Sequence, residues 1–176
     1  MREWACYLLY KILSRFGVSP LYDPLHSSTK LLNLIYLVYS NGDLMAEQET
    51  IDNAVAVPGG NCILQSVTAI DTSDTGGAIY LIITDSSQDL GTVGSAISAA
   101  DAAADNSMAI VELNNWIDVG GAKVCSKANI GLVCNSASAT HAQSKKLYYG
   151  VVNASGGDIV IGSGEDIIFQ FGVVKD

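Results

Sequence analysis

Residues 57–84 constrain the fold of this chain more than any other stretch. Two apolar runs, residues 61–70 and 78–84, flank a polar insert that reads DTSDTGG. Val, Ile, Leu and Thr dominate both runs, and such residues suit the pleated, partly buried surface of a sheet. Asp and Ser in the insert bond to nearby backbone, and Gly adopts a positive φ without strain, so the insert favours a turn. The stretch therefore predicts a β-hairpin with a long loop, near the centre of an all-β domain.

Short strands separated by turn residues continue along the rest of the chain. Gly is frequent, with 17 residues against only 3 Pro, and no later stretch keeps a sustained helical period. Ser98 and Asp101 have the spacing of a helix N-terminal cap, which predicts one short helical turn at residues 99–105. Such closely spaced strands are typical of a sandwich or barrel. We predict a single antiparallel β-sandwich domain, jelly-roll-like, over residues 45–176.

Residues 1–44 differ in composition from the rest and contain both Arg residues and two of the three Pro. Their apolar stretches are too short for a bilayer-spanning helix, which needs about 20 residues. Charged residues and Pro interrupt them where a secretory signal would be continuous. Codons for Gly42-Asp43 can contain GGAG, a bacterial ribosome-binding core, just before Met45. We therefore predict that Met45 is the natural start and that residues 1–44 are upstream read-through or a disordered arm outside the fold. The alternative is a genuine N-terminal arm.

The charge of the chain is unevenly distributed. The formal net charge is −9 at pH 7, and residues 45–176 contain 5 Lys against 15 Asp and Glu. A surface of this kind repels the phosphates of nucleic acids and the anionic lipids of a membrane surface. The sequence therefore predicts neither a nucleic-acid partner nor a membrane partner.

The four cysteines are Cys6, Cys62, Cys125 and Cys134. Their spacing does not match the CxxC pairs of metal sites. The simplest interpretation is that they are small buried apolar residues in a reducing compartment. The alternative is one disulfide, for which Cys125 and Cys134 on neighbouring strands are the candidate pair.

No arrangement of reactive residues in the sequence indicates a catalytic site. A nucleophile needs an adjacent base, and the only His after residue 44 is His141, in a polar loop without a GxSxG motif. One His cannot supply the two or three imidazoles of a typical catalytic zinc site. The acidic residues that lie close in sequence are Asp71 with Asp74, Asp85 with Asp89, and Glu165 with Asp166. We interpret them as solvated turn residues, with an incidental calcium site as the alternative. The sequence predicts no enzyme activity, no cofactor and no metal site.

Several short motifs follow one another along residues 51–174. They are PGGNCILQSV (58–67), an acidic turn, AIYLII (78–83), LGT (90–92), ISAADA (97–102), IVEL (110–113), WIDVGGAKV (116–124), IGLV (130–133), LYYGVV (147–152) and FQFG (169–172). This series resembles a family of small proteins encoded among the structural genes of tailed bacteriophages. Members of that family often carry basic residues after the strand that resembles LYYGVV, where this chain has NASGG. The resemblance does not include residues 1–44.

The resemblance implies a structural component of the virion, made in the host bacterial cytoplasm, that decorates or stabilises the capsid. Its partners would be further copies of itself, the major capsid protein, or both. Residues 51–57 and 166–174 are the predicted edge strands for such contacts. The alternative is a glycan-binding host-recognition module of a tail or fibre. An exposed Trp or Tyr beside carboxylates in a shallow groove would favour that alternative, and a buried Trp116 would count against it.

Overall fold

Two antiparallel β-sheets face each other across an apolar core in the computed structural model, which describes residues 25–32, 37–97, 107–135, 145–161 and 167–175. The strands are β1 (Leu25–Leu32), β2 (Leu37–Tyr39), β3 (Leu44–Ile51), β4 (Asn61–Asp71), β5 (Ile79–Thr84), β6 (Ser107–Leu113), β7 (Ile117–Asp118), β8 (Lys123–Asn135), β9 (Leu147–Asn153), β10 (Ile159–Ile161) and β11 (Ile167–Lys175). The first sheet has the order β1-β11-β4-β8-β7, the second has the order β3-β9-β5-β6, and β2 pairs with β10. The predicted antiparallel β-sandwich is confirmed. The predicted helical turn at 99–105 lies outside the described residues.

The eight longer strands pair as one long hairpin that is rolled up. Counted in chain order, the first of these strands (β1) pairs with the eighth (β11). The second (β3) pairs with the seventh (β9). The third pairs with the sixth, β4 with β8, and the fourth pairs with the fifth, β5 with β6. Pairs between β11 and β4 and between β9 and β5 complete the two sheets. This nesting is the arrangement of a two-sheet jelly roll.

An aromatic cluster joins the two sheets at the centre of the core. Tyr149 of β9 lies 4.9 Å from Phe171 and 5.7 Å from Phe169 of β11, measured between ring centroids, and all three side chains are fully buried. Every second residue of β11 from Ile167 to Val173 is buried, as expected for a strand with one face on the core. The Tyr149 hydroxyl is buried without a hydrogen-bond partner.

The predicted hairpin over residues 57–84 is wrong, although both of its strands are present. β4 belongs to the first sheet and β5 to the second, so the segment between them carries the chain from one sheet to the other. The strand predicted at 51–57 is also absent. There β3 ends and a turn follows, with Asn53 at φ 54°. Ala54 and Val55 are buried within this turn, which explains why their apolar pattern imitates a strand.

The predicted boundary at residue 44 is not where the sheets begin. Residues 25–32 form β1, which pairs with β11 over its whole length, and Tyr39 of β2 is fully buried. β1 is an edge strand, and it contains none of the Arg and Pro residues that set residues 1–44 apart in composition. Residues 1–24 and 33–36 lie outside the described residues. A translation start at Met45 stays a prediction.

The disulfide considered between Cys125 and Cys134 is excluded by the position of both residues on β8. Nine residues of extended strand separate their Cα atoms by about 25–30 Å, whereas a disulfide needs a Cα separation of about 4.4–6.8 Å. Cys62, Cys125 and Cys134 are buried in this structure and are not joined in a disulfide. The interpretation of these cysteines as small buried residues is therefore confirmed for the three that the structure describes.

Removal of residues 1–44 should destabilise the protein more than removal of residues 1–24. The longer deletion takes away β1, so it exposes the edge of β11, and it also removes Tyr39 from the core. It breaks one of the two ion pairs of Asp52 as well, the one with the Lys30 ammonium, and leaves the pair with Lys146. Thermal unfolding of both variants and the full chain provides the measurement. Equal midpoints for the two variants would contradict the assignment of β1 to the sandwich.

The substitution Tyr149→Phe should keep or raise stability at neutral pH and reduce its loss at alkaline pH. Burial raises the pKa of Tyr149 above its ordinary value, and the nearby Glu49 carboxylate adds to this effect. The unfolded state therefore ionises first, above about pH 10, and the stabilisation present below that pH is lost as the pH rises. Urea unfolding at neutral pH and at about pH 11 measures the difference. Tyr80→Phe, at a partly exposed position, is the control and should behave like the parent protein.

Candidate functional site

The acidic turn between β4 and β5 is organised by one buried carboxylate. Asp71 is 2% exposed, and it accepts hydrogen bonds from the backbone N–H of Ser73 at 2.9 Å and of Gly76 at 2.7 Å. The Ser73 hydroxyl also donates to Asp71. Asp74 and Gly76 both adopt left-handed backbone, with φ of 58° and 65°. The Asp71 side chain thus serves the local backbone, as turn chemistry predicts.

Lys123 of the WIDVGGAKV motif fastens this turn to the first sheet. Its Nζ donates to the carbonyl oxygens of Asp74 at 2.6 Å and Thr75 at 3.2 Å, and lies 3.9 Å from the Asp74 carboxylate. The aliphatic part of Lys123 packs under Gly76, where an added Cβ would overlap its Cδ. Two motifs far apart in sequence therefore form a single contact, which we call the lysine clamp (Asp71, Asp74, Thr75, Gly76 and Lys123). The Lys123 ammonium supplies a positive charge beside this acidic turn, for which a calcium site was the alternative interpretation of the sequence.

A second contact joins the LGT motif to the LYYGVV motif on the outer face of the second sheet. Leu90 packs directly over Gly150, and a Cβ added at Gly150 would overlap Leu90. Leu90, Leu44 and Val152 form a small buried cluster there, separate from the main core. The segment that follows β5 therefore covers part of a sheet face that would otherwise be solvent-exposed.

The other acidic residues singled out by sequence do not join these contacts. Asp89 accepts a hydrogen bond from the Gly91 N–H at 2.9 Å, and Asp85 has a buried carboxylate oxygen with no partner. His141, Glu165 and Asp166 lie outside the described residues. Within the described ranges no group of three or more His, Cys, Asp or Glu is placed to hold a metal ion. No helix in this part of the chain has the length and apolar character needed to cross a bilayer.

The aromatic residues give mixed evidence on glycan binding. Trp116 is partly buried against the core, and its indole N–H is buried without a partner. The criterion set from the sequence was a buried Trp116, and the partly buried Trp116 meets it only in part. Tyr80 is 39% exposed and lies opposite Glu112 on β6, so one tyrosine does stand beside a carboxylate. A polar surface pocket of about 310 Å³ lies elsewhere, and its lining contains no aromatic residue.

The edges of the sheets differ from those predicted. The segment 166–174 was predicted to form an edge, but β11 lies between β1 and β4 in the interior of the first sheet. At the edge of this sheet opposite to β1, the outermost long strand is β8. The short strand β7 covers it only at Val124 and Lys123. Beyond these residues β8 is bulged, with Asn129 at φ 56° and Gly131 at φ 65°. Bulges of this kind protect an edge from uncontrolled pairing.

Exposed apolar side chains occur on the second sheet and around β7. Ile110 of β6 is 61% exposed and pairs with the partly buried Ile82 on the outer face of the second sheet, where Tyr80 also lies. We call Tyr80, Ile82 and Ile110 the outer patch. Ile117 of β7 and Val119, in the turn that joins β7 to β8, are exposed as well. Sequence reasoning missed the outer patch, because an alternating β6 pattern does not reveal which face is uncovered.

The substitution Lys123→Met should lower the free energy of unfolding by about 1 kcal/mol, since it keeps the packing under Gly76 and removes partly exposed hydrogen bonds. Lys127→Met, at an exposed lysine of the same strand, is the matched control and should change stability by less than about 0.5 kcal/mol. Urea unfolding measures both. Equal values for the two variants would show that the lysine clamp contributes nothing.

The fold is similar to that of chains from virus particles. A chain in the capsid of Ralstonia phage GP4 is 16% identical, with a TM-score of 0.42, over 88% of this chain and 86% of that chain. A chain of tomato aspermy virus is 8% identical, with a TM-score of 0.35, over 98% of this chain and 95% of that chain. A chain from a subviral particle of infectious bursal disease virus is 12% identical, with a TM-score of 0.36, over 87% of this chain and 33% of that chain. No protein-family model and no curated protein sequence matches this chain.

Proposed function

We propose that this protein is a structural component of a tailed-phage virion that decorates or stabilises the capsid, through self-association, contact with the major capsid protein, or both. One observation carries the proposal: the motif series that resembles the phage family builds a double-sheet jelly roll. Two-sheet jelly rolls are an architecture of viral capsid proteins and also of lectin domains. The nested pairing runs from β1 to β11 and thus uses nearly the whole described chain.

The roles of the motif residues support a structural protein. Lys123 and Asp71 hold a turn, and Leu90 and Gly150 hold a loop against a sheet. These side chains act on other parts of the same chain, which is what a rigid building block requires. An excess of acidic residues after residue 44 keeps such a subunit soluble and away from packaged nucleic acid.

The outer patch is the surface we propose for contact within the particle. Ile110 is a large apolar side chain on a sheet face, and Ile82 beside it continues into the buried cluster formed by Leu44, Leu90 and Val152. Association would remove this apolar area from water, which is the dominant favourable contribution to most protein interfaces.

The experiment uses phage particles assembled with this protein in its natural genetic context. Purified virions should contain the protein, detected by mass spectrometry, and gold labelling should place it on the head. Ile110→Asp should reduce its copy number per particle by about tenfold if the outer patch is buried in the interface. Val57→Asp, at an exposed apolar residue of the β3–β4 turn, is the matched control and should be incorporated normally.

The outcomes separate the possible roles. Absence of the protein from virions would overturn the proposal. Labelling of the tail together with binding to host polysaccharide, abolished by Tyr80→Ala or Glu112→Gln, would support the glycan-binding alternative instead. Normal incorporation of Ile110→Asp would retain the virion role and exclude the outer patch as the contact.

A further inference from the structure

Cys62 and Cys134 lie directly opposite each other on the neighbouring antiparallel strands β4 and β8. Their side chains are 2% and 0% exposed, so both face the core. Directly opposite residues of an antiparallel pair have Cα separations of about 4.5 or about 5.5 Å. Both values fall in the range of about 4.4–6.8 Å that a disulfide requires. The fold thus presents a cysteine pair that the sequence spacing does not reveal.

The two thiols also interact with each other. The Cys62 thiol donates a hydrogen bond to the Cys134 sulfur, which lowers the pKa of Cys134, and the Leu64 N–H adds a further bond. The Cys134 thiol lies 3.6 Å from the Leu132 carbonyl oxygen, to which it donates. A thiol that ionises more easily is the better attacking group in disulfide exchange near neutral pH, so Cys134 suits the second attack, which closes the disulfide.

A surface pocket lies beside Cys62, which is itself 2% exposed. The pocket has a volume of about 380 Å³, and its lining residues are Asn61, Cys62, Ile63, Val133, Val174 and Lys175. Lys175 of β11 is the register partner of Cys62 on the side opposite to Cys134. Its ammonium places a positive charge beside the pocket, and this charge favours an anionic reagent.

We propose that Cys62 and Cys134 form an oxidation site, which closes to a cross-strand disulfide by exchange with an anionic small-molecule disulfide such as oxidised glutathione. The Cys62 thiolate attacks one sulfur of oxidised glutathione, forms a mixed disulfide and releases one glutathione thiolate. The Cys134 thiolate then attacks the Cys62 sulfur and releases the second glutathione thiolate. The two protons of the protein thiols end on the two glutathiones, so the protein is oxidised by two electrons and one oxidised glutathione is reduced.

The position of the cross-link gives it a structural consequence. Cys134 lies on β8 beyond the bulge at residues 129–131, close to the end of the strand. A disulfide there ties the far end of an edge strand to the central strand β4. It also closes a long loop in the unfolded chain, which is the principal reason that such cross-links stabilise proteins. This inference is independent of the proposed virion role.

The test treats the folded full-length protein with oxidised glutathione and follows it by intact mass and peptide mapping. We expect the mass loss of two hydrogen atoms, a cross-linked peptide pair that contains Cys62 and Cys134, and a melting temperature about 5–15 °C above that of the reduced protein. Lys175→Gln should slow the reaction with oxidised glutathione by about 3-fold to 10-fold at low salt. It should leave the reaction with uncharged hydroxyethyl disulfide unchanged.

Two variants serve as controls under the same treatment. Cys125→Ala should still form the cross-link, whereas Cys62→Ala should not; thermal unfolding in reducing buffer verifies that both are folded. Three results would overturn the proposal: four free thiols retained in the folded parent protein, a persistent glutathione adduct on Cys62, or a cross-link that uses Cys6 or Cys125. The thiol count of the parent protein decides the matter even if a variant fails to fold.

Discussion

Burial of three aromatic rings between the sheets is the interaction on which the sandwich depends. Tyr149 comes from one sheet and Phe169 and Phe171 from the other, so their contact fixes how the two layers face each other. Aromatic side chains of this size each bury about 150–250 Å², which outweighs a partly exposed ion pair such as that between Lys30 and Asp52. The buried Tyr149 hydroxyl, which has no partner, is a cost that this apolar contact exceeds.

The contacts outside this core hold turns and loops in place. The lysine clamp fixes the segment that crosses between the sheets, and Leu90 holds the segment after β5 against the outer face of the second sheet. Both contacts involve residues of the motif series, so these motif residues have structural roles within the chain. The outer patch is a part of the second sheet that these contacts leave uncovered.

Much of the fold could be predicted from the sequence, because β4, β5, β8 and β11 have clear apolar patterns and clear turns between them. What could not be predicted is which strands pair. The insert after Asp71 has the same turn chemistry in a hairpin as in a crossing between sheets, so local sequence does not separate the two. β1 was missed because it belongs to a segment that differs in composition from the rest of the chain, and the interior position of β11 depends on a partner far away in the chain. The two cysteines that face each other were missed for the same reason: only the register of β4 with β8 brings them together.

The nested pairing also determines when this protein can finish folding. Val174 near one end of the described chain pairs with Leu25 near the other, and β11 must enter between β1 and β4. A ribosome therefore releases most of the sandwich before the first sheet can close, and β1 has no partner until β11 has been synthesised. Contacts between such distant residues make folding slow, on the order of milliseconds to seconds. The order in which the strands emerge therefore makes β1, although it is synthesised first, one of the last strands to pair.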